Sequence, residues 1–215
     1  MIKDYQVYVQ PSFDKVLNDL KAEYEEAKKT GKYDDLTRHI LKGWSKEEAK
    51  DGQRIHGHQR RMPNDSLKKA IKAFNGFFTC FNPIGCTFED LYDEVKRRLT
   101  GIPFCEGPLT VYDVAIRIGW IFGILPKVYV YLNSGALVGA KRLLGKKSLP
   151  FRIPVSDFPA PLCNVPSIYI EDILCTFKDA FLPKSDPDYK TVSQILGIGS
   201  CNAKPSRKRW CNRLS

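Results

Sequence analysis

Apolar residues recur at every third or fourth position along much of this chain, the spacing of one face of an α-helix. In residues 12–29, SFDKVLNDLKAEYEEAKK, the recurring set is Phe13, Val16, Leu17, Leu20 and Tyr24, with polar or charged residues between. Asp34-Asp35 opens a shorter helical pattern that runs through Leu41. Segment 45–61 begins with Ser45-x-x-Glu48, which has the form of a capping box, and Gly52 and Gly57 weaken its later half. Asn64 or Asp65 is positioned to cap a helix through Phe74. Thr87 caps another, FEDLYDEVKRRL, whose face is Phe88, Leu91, Tyr92, Val95 and Leu99.

Pro108 suits the first turn of a following helix, lined by Val111, Ala115, Ile118 and Phe122 and ended by Gly123 and Pro126. KVYVYL (127–132) alternates in a β-prone way, but no partner is evident, so it reads as an extended connector. SGALVGAKRLL (134–144) is a helix rich in small residues, and the five prolines of 148–167 predict irregular chain. Helices are expected again over 168–181 and 189–196. The pattern is mostly α: one helical domain over 1–200, with an N-terminal subdomain 1–86, a subdomain 87–200 and a tail 201–215.

Charge adds a partner class. The formal net charge is +10 and the pI about 9.2, which favours a polyanion. Between Asp113 and Asp157 there is no acidic residue, while Arg117, Lys127, Lys141, Arg142, Lys146, Lys147 and Arg152 all fall there. A second acid-free run holds Lys204, Arg207, Lys208, Arg209 and Arg213. The longest apolar stretch, AIRIGWIFGILPKVYVYL, is broken by Arg117, Pro126 and Lys127 and reads as core, so no membrane partner is expected. The seven cysteines are scattered without a CxxC, which speaks against a zinc ribbon or iron–sulfur cluster; no cofactor or metal is expected. MIKDYQVYVQPSFDK lacks the layout of a secretory signal, so a cytoplasmic or nucleoid setting is expected.

Candidate chemistry centres on LTGIPFCEGPLTVYDVAIRIG (99–119), where glycines punctuate a turn between two helical patterns. Backbone N–H groups at such a turn can meet a phosphate. Leu99, Gly101-Ile102 and Gly107-Pro108-Leu109-Thr110 resemble the hairpin of the helix-hairpin-helix DNA-repair glycosylase superfamily, whose turn reads roughly L-P-G-h-G-x-x-T-A. KVYVYLNSGALVGAKRLLG sits where that family places V-D-T-H-V-x-R-V-x-x-R-L-G, so the likeness covers about residues 88–145. It implies an all-α fold and binding to the backbone of duplex DNA through Gly101, Gly107, Thr110, Arg117, Lys141 and Arg142. Three departures stand out. Pro103-Phe104-Cys105-Glu106 is inserted in the glycine pattern, and an inward Glu106 would repel phosphate. The family's Schiff-base lysine would fall near Leu109, and its catalytic aspartate in VYVYLNS, which has Asn133 but no carboxylate. Binding without catalysis is therefore the leading expectation. The alternatives are a divergent glycosylase-like base-excision enzyme, and a protein–protein module with a basic face.

Other groups bear on these readings. His56-Gly57-His58-Gln59-Arg60-Arg61 makes His58, Gln59, Arg60 and Arg61 candidate nucleic-acid contacts and His56 a candidate acid or base. Asp113 and Arg117, four apart, predict a surface ion pair, with Asp113 a further catalytic candidate beside Asn133. Trp44, Trp120, Trp210 and the tyrosines of VYVYL, Tyr129 and Tyr131, are candidates for base stacking, Trp120 within an apolar run and Trp210 between cations.

Overall fold

A computed structural model describes residues 1–44 and 62–196, and they are mostly helical. The described residues divide into two compact units: Met1–Pro11 together with 126–196, and Ser12–Leu125. The boundary therefore falls at Pro126 and not near residue 86, because the helices Phe88–Leu99 and Pro108–Phe122 pack against the helices that precede them.

In the second unit the expected helices form: α2 (Gln10–Thr30), α3 (Asp34–Lys42), α4 (Asn64–Ala73), α6 (Phe88–Leu99) and α7 (Pro108–Phe122), with a short α5 (Phe77–Cys80). Thr87 caps α6 as its spacing predicts; Thr87 Oγ1 accepts from the Asp90 N–H while the Asp90 carboxylate accepts from the Thr87 N–H. At α4 the capping residue is Pro63, so Asn64 and Asp65 lie inside the helix. The α6 face Phe88, Leu91, Tyr92, Val95 and Leu99 is buried, and α6 packs on α7. Contact is close because Gly119 has no side chain; a Cβ there would press into the Ile124 carbonyl oxygen and meet Leu91. Arg98 lies over the rings of Phe74 and Phe77 and bonds Glu94 and the Ala73 carbonyl, tying α6 to α4.

The first unit starts with α1 (Ile2–Tyr8), which the periodicity of the N-terminus did not predict. Tyr131 and its neighbours correct another expectation. Residues Tyr129–Tyr131 (β1) do have a partner, the antiparallel Arg152–Pro154 (β2), with Val130 opposite Ile153. That partner sits inside the proline-rich stretch, where three residues escape proline's missing N–H by using Pro154 only at the strand end. Between them α8 (Ser134–Leu144) occupies the predicted span. It packs on α9 (Ser167–Thr176), which stops five residues short of expectation and continues after Phe177 as a 3₁₀ turn, Lys178–Phe181. Gly139 lets α8 approach the backbone of α9 at Leu174. The last described helix, α10 (Val192–Leu196), is also shorter than the pattern suggested. Val130, Ala136, Ala140, Ile170, Ile173, Leu174 and Phe177 form the centre of this unit's core.

Candidate nucleic-acid interface

The turn between α6 and α7 is built from inside and outside positions in alternation. Ile102 and Cys105 are buried, while Pro103 and Phe104 between them are exposed. The Cys105 N–H donates to the Ile102 carbonyl at 3.0 Å, closing a four-residue turn. Cys105 Sγ sits 3.7 Å from Met62 Sδ, and burial pushes its thiol up to about 11. Gly101, at φ +78°, takes a left-handed conformation that the missing side chain makes cheap.

The expected phosphate nest is occupied from within. The Gly101 N–H donates to Glu106 Oε2 at 2.9 Å, so the inserted acid, expected to repel a phosphate if it pointed inward, itself takes the amide. Gly107, at φ −64°, is the extended N-cap of α7, and the following Pro108 has no N–H to offer. Thr110 is buried.

Arg117 is the clearest correction. Its side chain is buried, Nη1 donates to the Ile40 carbonyl at 2.7 Å, and Nη2 lies 3.6 Å from Asp113 Oδ2. Burial lowers its pKa to about 10 and the Asp113 charge opposes that shift, so the guanidinium stays charged at neutral pH. The i,i+4 pair is thus internal rather than a surface pair, and Arg117 offers nothing to a phosphate. The same contacts make Asp113 the counter-ion of Arg117.

Lys141 and Arg142 stand in the last turn of α8, in the other unit from Gly101 and Gly107. Arg142 is engaged: Nη1 donates to Asp179 Oδ1 at 2.8 Å and to the Lys178 carbonyl at 2.9 Å. Lys127, Lys146 and Lys147 are exposed in this unit. Asn133 is the N-cap of α8; its carbonyl accepts the Ala136 and Leu137 N–H groups, but its buried Nδ2 has no acceptor. His56, His58, Gln59, Arg60, Arg61 and Trp210 lie outside the described residues.

Sequence reasoning did not single out one partly buried polar cluster. Glu23 accepts from Trp44 Nε1 at 2.6 Å, and its second oxygen stands 2.7 Å from His39 Nδ1. His39 stacks on Trp44, so Trp44 is core and not a stacking surface. The available signal was His39 on the apolar side of α3, with Leu36 and Ile40. Trp120 Nε1 donates to Asn18 Oδ1 at 3.0 Å. A cavity of about 220 Å³ lined by Ile2, Tyr5, Gln6, Asn164, Tyr169 and Ile173 lies in the first unit, and it contains none of the predicted site residues. No group of three or more His, Cys, Asp or Glu side chains among the described residues could hold a metal ion. Nor is any helix among them long and apolar enough to cross a membrane.

Charge is divided unevenly. The described residues of the unit Ser12–Leu125 carry fourteen basic and fourteen acidic side chains. Those of the other unit carry ten basic and seven acidic, residues 45–61 five and three, and residues 197–215 five and none. The whole surplus lies away from the described part of the unit Ser12–Leu125. Comparison with protein-family models, with curated proteins and with solved structures gave no match.

Proposed function

We propose that this chain is a non-catalytic nucleic-acid-binding protein that holds the phosphate backbone of duplex DNA. The observation that carries the reading is where the charge surplus lies. Exposed Lys127, Lys146 and Lys147, with the basic sequences of 45–61 and 197–215, form the electrostatic footprint. The α6–α7 turn is not its phosphate grip, since Glu106 takes the Gly101 amide. Contacts of this kind supply affinity with little sequence information, so binding is expected to be weakly sequence-specific and steeply salt-dependent.

The test is a salt titration of binding to a paired duplex. The logarithm of the binding constant should fall linearly with that of salt, by about 0.9 for each phosphate neutralised. Joint reversal of Lys146 and Lys147 to Glu should weaken binding alike on unrelated sequences and flatten the salt slope. Binding that ignores salt, or a complex that survives nuclease, would reject the reading in favour of an acidic protein partner.

A further inference from the structure

The insertion Pro103-Phe104-Cys105-Glu106 contains a residue that the fold itself does not favour. The turn Ile102–Cys105 has proline at its second position and a positive φ, +67°, at its third. Those are the marks of a type II turn, whose third position is ordinarily glycine or asparagine. Here it is phenylalanine, a bulky side chain for which the left-handed region is an outlier. Its ring gains little in return, being 64% exposed. Strain and an apolar ring in water are two costs at one position, and the packing of the turn repays neither.

The turn is also firmly held. Ile102 and Cys105 anchor it on either side, the Glu106 carboxylate ties its far end to Gly101, and α6 and α7 fix both ends. The division of labour is plain: Cys105 points in, Glu106 closes the turn, and Phe104 is held out. An aromatic face fixed in solvent at the cost of backbone strain is prepared for a flat, apolar ligand surface.

We infer that Phe104 stacks on an unpaired base of bound nucleic acid, so that the protein prefers duplexes with a bulged base over fully paired ones. This rests on the proposed nucleic-acid function and adds the substrate feature it recognises. A base is chosen over other apolar partners because the chain carries a net charge of +10, which draws a polyanion. A balanced local surface suits the uncharged base better than the phosphate, and exposed Lys96 in the last turn of α6 adds a nearby cation in sequence. An already unpaired base spares the protein the cost of unstacking it.

The experiment compares a paired duplex with the same duplex carrying one bulged 2-aminopurine, for the full-length protein, Phe104→Gly and Phe104→Trp. The wild type is expected to prefer the bulged duplex by about tenfold, the low-to-middle range for one base stacked on an aromatic ring, and to quench the 2-aminopurine. Phe104→Gly should lose the preference and the quenching, keep its affinity for paired duplex, and unfold at the same or higher denaturant concentration. Phe104→Trp should retain the preference. A wild type that binds both duplexes equally, a Phe104→Gly protein that keeps the preference, or one that loses stability would overturn the inference and leave paired-duplex binding intact. Failure of the wild type to bind any duplex would instead remove the underlying function.

Discussion

The chain begins α7 and α8 in opposite ways. Before α7 the turn satisfies itself: Glu106 takes the Gly101 N–H, Gly107 caps in extended conformation, and Pro108 removes a donor. Before α8 the chain leaves a polar atom unmatched, the buried Nδ2 of Asn133. Charge follows the same contrast, since the first start lies in a unit whose described charges balance and the second in one with a basic excess. The lesson is that a glycine-punctuated turn before a helix is an anion site only if its amides are still available. One carboxylate within reach is enough to use them.

The largest effect that would break this contrast is at Arg117, which the contrast treats as an internal group of α7. Arg117→Ala removes the donor to the Ile40 carbonyl and the counter-charge of Asp113. Breaking a buried charge pair by deleting one partner costs about 3–5 kcal/mol. Urea unfolding should show a loss of that order, with duplex affinity of the folded variant unchanged. A variant of near-wild-type stability that binds duplex poorly would put Arg117 back on the surface.

A middle-sized effect sharpens the contrast at the turn itself. Glu106→Ala deletes the acceptor of the Gly101 N–H, a charge-assisted bond in an exposed setting. The expected loss is about 1 kcal/mol, measured by urea unfolding. Removing this negative charge should also strengthen duplex binding slightly, most visibly at low salt. Weaker binding after the substitution would mean that Glu106 orders the turn for its partner more than it repels it.

Much of the helical frame was legible in sequence. The face of α6, the span of α7, the Thr87 cap and the bounds of α8 follow from local spacing, where each residue's neighbours three and four along decide its fate. By contrast, α7 is buried nearly all round and not along the one face its spacing suggests. What escaped depends on partners far along the chain. The pairing of β1 with β2 joins two three-residue strands across α8, too short to announce themselves and one of them among prolines. The burial of Arg117 is decided by a carbonyl 77 residues earlier. Glu106 shows a third cause: its separation from Gly101 was visible, but charge alone suggests repulsion of a ligand, and only the turn's geometry reveals that it is one. The resemblance to a helix-hairpin-helix likewise specified a helix pair and a turn, but not which amides remained open.

The smallest effect tests the other side of the contrast. At α6 the Thr87 side chain accepts a backbone N–H, and replacing a cap of that kind by Ala typically costs about 1 kcal/mol. Asn133 holds the same position at α8 but makes no cap bond, and its buried Nδ2 has no acceptor. A buried donor without a partner keeps its desolvation cost and earns nothing against it. Asn133→Ala relieves that cost while losing some packing, so the two effects should offset to within about 0.5 kcal/mol. Denaturant unfolding of the two alanine variants side by side gives the comparison. If Asn133→Ala proves as costly as Thr87→Ala, the amide has an acceptor in solution, an ordered water or an anion. The start of α8, and not the turn before α7, would then be the place to look for a bound phosphate.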